Sequence, residues 1–286
     1  MKTLNLIDES QSEIVYTISK FPDGQQQVKI APYSWSYPPT IEHRSVTIKS
    51  RLNNFMDLEL IMCAIASLKG LGVEQIHLYS PYILGARSDR KFEEGSNNYL
   101  KTVVCPLINA MQISSITILD PHSDCLEMGL NNFIKKDNCE FVKWALTQIN
   151  NKDQDVIFIS PDGGALKKIY KVADYVSFKG DIVTCSKSRG ANGELSKVVV
   201  PMGDLWNSNK DAVIIDDICD GGATFINIAK ELKANGWKNK IYLVVTHGIF
   251  SKGFGELQQS FDGVYCTNSY QTLTACEPFV KQLNIF

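Results

Sequence analysis

The stretch "AVIIDDICDGGATF", residues 212–225, decides the fold. It opens as an apolar run without polar alternation, as a parallel strand covered on both faces requires. It then reaches Asp216 and Asp217, and after Asp220 a turn made of Gly221, Gly222, Ala223 and Thr224 leads into a helical pattern. In open α/β sheets, ligands bind beyond the carboxyl ends of the strands. A turn this poor in side chains lets several backbone N–H groups converge on an anion, assisted by the dipole of the following helix. Two carboxylates beside such a cradle suit a sugar phosphate, the acids serving vicinal hydroxyls or a metal and the amides the phosphate. A strand-capping acid pair before an ordinary turn is the competing reading. The ordered string of strand, Asp pair, spaced Asp, Gly pair and Thr favours the sugar phosphate.

Outward from this stretch, short apolar runs recur as "IHLYS" (76–80), "ITILD" (116–120), "VIFIS" (156–160) and "IYLVV" (241–245). Helix-period segments separate them. In residues 53–72, Leu58, Ile61, Met62, Ile65 and Leu68 share a face, with Asn54 as cap and Gly70 as stop. Leu166, Ile169, Tyr170 and Ala173 form a second stripe; Ile228, Ala229 and Leu232 form a third. Strand alternating with helix predicts an α/β protein with mainly parallel sheets. Both halves show the pattern, and the polar "KKDNCEF" (135–141) separates them. The expectation is two similar doubly wound domains, 1–140 and 141–286, with the chain's C-terminal tail packing back on the first. Residues 190–197, "GANGELSK", lack an apolar period and are expected to form a loop.

A formal net charge of −2 gives no electrostatic reason for nucleic-acid or membrane-surface binding. No run approaches the ~20 apolar residues of a membrane span, and "MKTLNLIDES" has no signal-peptide core. The eight cysteines include no CxxC pair and no His at metal spacing. Most lie in apolar runs, as small buried hydrophobes do in a reducing compartment, which predicts a cytoplasmic protein.

The Asp-Asp-Gly string resembles the phosphoribosyl-diphosphate loop shared by type I phosphoribosyltransferases and ribose-phosphate pyrophosphokinases, the PRPP synthetases. Further segments resemble the second family in its own order. "FPDGQQQVKI" (21–30) is similar to its adenine-side loop and "SPYILGARSDRKF" (80–92) to its ATP segment. "ILDPHSD" (118–124) resembles its metal motif and "ISPDGGALKK" (159–168) its Ser-Pro-Asp motif. "KSRGANGE" (187–194) stands where its catalytic loop does, and "VVTHGIFS" (244–251) matches one more segment.

The resemblance implies a phosphoribosyltransferase type I-like fold and Mg²⁺-dependent transfer of the β,γ-diphosphoryl group of ATP to the anomeric hydroxyl of ribose 5-phosphate. It assigns Lys187 and Arg189 to catalysis. It places Phe21, Asp23, Gln25, Arg87, Ser88, Asp89 and Arg90 at ATP, and His122 and Asp162 at the metal. Asp216, Asp217, Asp220, Gly221, Gly222, Ala223 and Thr224 would hold the ribose phosphate. Phe21 has a competing reading as ordinary core. His247 is expected to be structural or near the substrate. In the family the adenine-side loop reaches a neighbouring subunit, which implies a homo-oligomer, dimer or hexamer, with shared sites.

Three departures stand out. Gln25 replaces the family's usual Glu, "GARS" (85–88) its Tyr-Ala-Arg-Gln, and "DGGAT" (220–224) its Asp-Thr-Gly-Gly-Thr. Gly221 cannot give the 5′-phosphate the hydroxyl that the Thr gives, and it leaves room. A bulkier acceptor, ADP-ribose, would fit this change and yield ADP-ribose 1-diphosphate for NAD synthesis, as in a viral branch of the family. The modest chain length also suggests a divergent, phage-borne member. Ribose 5-phosphate stays first. A PRPP-consuming phosphoribosyltransferase and a non-catalytic regulatory subunit are the rivals; neither would need all of the ATP, metal and loop residues present here.

Overall fold

A computed structural model describes residues 1–31, 44–149, 156–189, 195–274 and 278–286, with the backbone alone at 187–189 and 195–197. The chain forms two compact units, Met1–Lys136 with Phe286, and Asp137–Ile285.

The first unit runs through β1 (Lys2–Asn5), the hairpin β2 (Tyr16–Lys20) and β3 (Gln26–Ile30), β4 (Ser45–Lys49), α1 (Phe55–Gly70) and β5 (Gln75–Tyr79). A π-helical turn at Leu100–Val104 then enters α2 (Cys105–Ala110), followed by β6 (Ser115–Leu119), α3 (Cys125–Gly129) and β7 (Phe133–Lys136). Its parallel sheet has the order β1-β4-β5-β6-β7, so the strands cross it in chain order. Helix α1 starts where Asn54 Oδ1 accepts the amides of Met56 (2.8 Å) and Asp57 (3.0 Å). It buries Leu58, Ile61, Ala64, Ile65 and Leu68. Met62, expected on this stripe, is 48% exposed. At 100° per residue the stripe centres on Ile61, Ile65 and Leu68, and Met62 falls past its edge while Ala64 closes the other flank. The hairpin lies on this helix, with Ser67 Oγ donating to the Val28 carbonyl at 2.7 Å.

The second unit contains α4 (Cys139–Ile149), β8 (Val156–Ser160), α5 (Gly163–Tyr175) and β9 (Ile182–Thr184), then a hairpin of β10 (Ser186–Arg189) and β11 (Leu195–Val199). It continues with β12 (Asp211–Cys219), α6 (Ala223–Ala234), β13 (Ile241–Gly248), α7 (Gly255–Ser260), β14 (Gly263–Thr267) and β15 (Val280–Leu283). Its parallel sheet has the order β15-β14-β13-β12-β8-β9. The chain starts at β8, moves outward to β9, and resumes on the other side at β12. The winding therefore reverses between β8 and β12.

Both faces of this sheet are covered. Ile157, Ile159, Ala212, Ile214, Leu243 and Val245 pack with Phe225, Ile228 and Ala229 of α6. The alternate residues Val156, Phe158, Val213, Ile215 and Val244 pack with Val142 of α4 and Ile169 of α5. This explains why the strands read as unbroken apolar runs. Tyr170, expected on the α5 stripe, is exposed, and Val172 is buried instead. Residues 195–197, expected in a loop, belong to β11, whose Val198 lies in the α6-side core. The remainder of that expected loop, 190–194, lies outside the described residues. At the chain end, β15 completes the second sheet. Phe286 belongs to the first unit, its ring edge-on to Tyr79 at 6.0 Å. Among the described residues no helix is long and apolar enough to cross a membrane.

Candidate active site

The reversal between β8 and β12 is the place where an open parallel sheet forms a ligand crevice, since the two following loops diverge beyond the strands' carboxyl ends. Strand β8 delivers Asp162, whose Oδ1 accepts the amides of Gly164 (3.0 Å) and Ala165 (3.2 Å) and so caps α5. Strand β12 delivers Asp216 and Asp217. Neighbouring strand residues point to opposite faces, and Asp217, in phase with Val213 and Ile215, turns toward α5. There its Oδ2 meets Lys168 Nζ at 2.8 Å. Asp217 is 6% exposed, so this pair neutralises an otherwise costly buried carboxylate. Asp216 keeps partial access to solvent, and its Oδ1 accepts the Asp217 amide at 2.9 Å. Burial first, and then the neighbouring Asp217 carboxylate, push the Asp216 carboxyl up to about 8.

Downstream, Asp220 and Gly221 are part-exposed, and Gly222 sits at φ +79° before α6. That positive φ is one only Gly adopts without strain. Unlike α1 and α5, helix α6 starts with no side-chain cap from its N-cap residue. Ala223 is exposed and Thr224 part-exposed at this end. Its first-turn amides therefore suit an external anion. The room expected above Gly221 is occupied. A Cβ there would meet the Lys252 stem at 3.2–3.4 Å.

His247, at the end of β13, is 2% exposed, and its Nδ1 lies 2.8 Å from Ser269 Oγ. The backbones of Lys187 and Arg189 lie in β10, opposite Val198 and Leu195 of β11.

The first unit gathers a separate set at the carboxyl edge of its own sheet. Arg87, Ser88, Asp89 and Arg90 follow β5 in a turn, the Ser88 amide donating to the Gly85 carbonyl at 2.8 Å. Gly85 has φ +74°, and a Cβ on it would meet the Tyr99 ring at 2.6 Å. Glycine thus stands at this place because the Tyr99 ring approaches the backbone there. Arg87 and Arg90 are exposed, and Arg90 lies 5.6 Å from the Phe92 ring centroid. The segment is tied to the next strand end. The Leu119 amide donates to the Pro81 carbonyl at 3.1 Å, and Asn98 Nδ2 fixes the Asp89 carbonyl at 2.6 Å. His122 is exposed just beyond, two residues after Asp120, which is 3% exposed and held at φ +44°. A non-Gly residue in that region signals a locally constrained backbone. Phe21, Asp23 and Gln25 occupy the turn of the β2–β3 hairpin, where Asp23 Oδ1 accepts the Gln25 amide at 3.2 Å. Phe21 is 46% exposed, so its competing reading as core fails.

The structure thus brings Asp162, Asp216, Asp217 and 220–224 together in one unit, and 87–90 with His122 in the other. Sequence reasoning missed Lys168, Asp120 and Lys252. "ALKK" did signal a cation about one and a half turns into the helix after Asp162, and "LDPH" carried a strand-end Asp. Nothing in the sequence foretold Lys252. Among the described residues no group of three or more His, Cys, Asp or Glu forms a metal cage.

A family model described as the phosphoribosyl synthetase-associated domain matches residues 181–272. The chain is 32% identical over 231 residues to a ribose-phosphate pyrophosphokinase of Mycoplasmopsis pulmonis, spanning 80% of this chain and 69% of that protein. A ribose-phosphate pyrophosphokinase of Sulfurisphaera tokodaii is 25% identical over 258 residues, 86% of this chain and 82% of the relative. The fold is similar to the crystal structure of phosphoribosylpyrophosphate synthetase from Mycobacterium smegmatis. That match has a TM-score of 0.75 at 20% identity, covering 95% of this chain and 86% of the other. Read with the acid pair and bare amide turn at the β8–β12 crevice, these likenesses identify the chain as a member of the ribose-phosphate pyrophosphokinase family, enzymes that transfer a diphosphoryl group.

Proposed function

We propose that the protein transfers the β,γ-diphosphoryl group of ATP to the C1 hydroxyl of ribose 5-phosphate, giving PRPP and AMP. The observation that carries this reading is the meeting of Asp162, Asp216 and the uncapped start of α6 at the one place where the second sheet reverses. Asp216 is the carboxylate oriented for the ribose hydroxyls, while Asp217 acts through its pair with Lys168. The amides of residues 221–224 take the 5′-phosphate.

Arg87 and Arg90 hold the polyphosphate, Ser88 and Asp89 shape their turn, and Phe21, Asp23 and Gln25 offer an exposed hairpin tip to adenine. That tip being exposed, rather than packed in its own unit, supports a homo-oligomer with shared sites. Lys187 and Arg189 stabilise charge that develops during transfer.

A hard divalent cation such as Mg²⁺ suits the donors, since it is held by one or two protein ligands plus substrate phosphates rather than by an all-protein cage. His122 would hold one such ion and Asp162 a second, and bound there they would neutralise the transferring phosphates. The seven cysteines described as free thiols fit a cytoplasmic setting.

Incubation with ATP, Mg²⁺ and ribose 5-phosphate, followed by chromatography, should yield AMP in step with a diphosphorylated sugar. No AMP with ribose 5-phosphate or ADP-ribose would remove the reading. The second acceptor remains a live alternative because Gly221 offers no hydroxyl to a terminal phosphate. Mass spectrometry after competition between the two acceptors ranks them.

A further inference from the structure

Lys252 stands in a turn built to carry it to the anion loop. After β13 the amides of Ile249 and Phe250 both donate to the Cys219 carbonyl, at 2.9 and 3.2 Å, immediately before residues 220–222. Phe250 is held at φ +50°, a genuine outlier for a bulky residue. It is nonetheless buried in the core with Phe225 and Leu257, and its ring lies tilted against that of Phe254 with centroids 4.9 Å apart. The Phe250 carbonyl then accepts the Gly253 amide at 2.8 Å, closing the turn around Lys252. Strain of this kind persists only where the surroundings over-determine it, and it clusters at ligand clamps.

The result is that the Lys252 stem lies across Gly221, its Cδ, Cε and Cγ 3.2–3.4 Å from where a Cβ would be. The ammonium is one bond beyond Cε, which lies 3.3 Å from that Cβ position. Lys252 is exposed, and among the described residues its ammonium has no hydrogen-bond or ion-pair partner. A cation whose stem lies over such an amide turn, with no ion-pair partner among the described residues, suits an anionic ligand.

We infer that Lys252 is a specificity-determining residue for the acceptor, its ammonium binding the 5′ anion of the sugar beside the amides of residues 221–224. This rests on the proposed function and assigns the donor that Gly221 cannot supply. A neutral hydroxyl fixed at residue 221 is replaced by a charged arm of longer reach and three donors. The ligand chemistry is a ribose carrying a 5′ phosphate group, whether terminal or the first of a diphosphate.

The test uses the full chain and calorimetric binding of ribose 5-phosphate, ADP-ribose and ATP, each separately, at low salt. Lys252→Met keeps the stem over Gly221 and drops the charge. It should weaken acceptor binding about tenfold while leaving ATP binding and the unfolding temperature unchanged, and Lys252→Arg should recover most of the loss. An equal loss for both acceptors puts the ammonium on the phosphate they share. A larger loss for ADP-ribose puts it on the second phosphate. Acceptor binding by Lys252→Met as tight as wild type overturns the inference and leaves the proposed function standing. If the wild-type chain binds neither acceptor, both fall.

Discussion

The two units are both parallel sheets with polar residues at the carboxyl ends of their strands, yet they build those ends differently. In the second, the strand order reverses between β8 and β12, and a short loop on each side suffices to bring Asp162, Asp216 and the start of α6 together. In the first, strands follow in chain order, and the charged residues ride on longer excursions, 80–99 after β5 and 120–124 after β6. A reversal makes a crevice without extra chain, so its ligands can be held by helix N-termini and strand-end acids. A sheet without one must reach its ligand with loops, and those loops need their own fastening. Here the fastening is visible in Asn98 on the Asp89 carbonyl and in the Tyr99 ring against Gly85.

Substitutions can break this contrast. The largest effect is expected from Lys187→Ala or Arg189→Ala, with turnover falling about 10²–10³-fold, as for loss of one transition-state donor, and ATP affinity little changed. Steady-state kinetics with both substrates varied checks it; an unaltered kcat would take these residues out of the chemistry.

Next come the ion pairs. Lys168→Met removes the cation paired with the buried Asp217 and should cost about 2–3 kcal/mol, below the ~3–5 kcal/mol of a fully buried pair because Lys168 is partly exposed. Arg44→Met breaks the exposed Arg44–Glu74 pair of the first unit and should cost at most about 0.5 kcal/mol. Denaturant unfolding of the two variants separates them, and equal losses would contradict the burial argument.

The acid pair also sets a pH dependence. Asp216 carries a carboxyl raised to about 8 in the folded chain, so the fold favours its protonated form. Its contribution to stability is full below about pH 4, where the unfolded group also holds its proton, and is lost as the pH rises toward about 8. The stability of wild type relative to Asp216→Asn should therefore decline across that window, measured by thermal unfolding. A difference independent of pH would show that Asp216 is an ordinary surface acid. The caps come last. Asn54→Ala and Asp162→Ala should each remove about 1 kcal/mol, but only the second should also weaken acceptor binding.

Much of this was legible in the sequence where one force dominates. The unbroken apolar runs at 156–160, 212–216 and 241–245 became β8, β12 and β13 because burial on both faces leaves no alternative. Asn54 was legible because capping is local. Met62 and Tyr170 were misplaced because helix stripes have soft edges that the neighbouring layer decides. The short edge strands β1, β7 and β15 carry too little pattern to stand out. In the candidate site, the string at 216–224 announced itself through its rare composition. Lys168 and Lys252 did not, since each acquires its meaning from a contact made across the fold, one 49 residues away in sequence and the other with a glycine that offers no signal of its own.

The most direct test is hydrogen–deuterium exchange of the full chain with and without ribose 5-phosphate, and separately with ATP. Added alone, the sugar phosphate is expected to protect amides at 162–165 and 220–225 and to leave 85–90 and 120–125 unchanged, with ATP slowing the latter pair. Protection of the first unit by the sugar phosphate, or of neither unit, would contradict the assignment of the acceptor to the β8–β12 crevice.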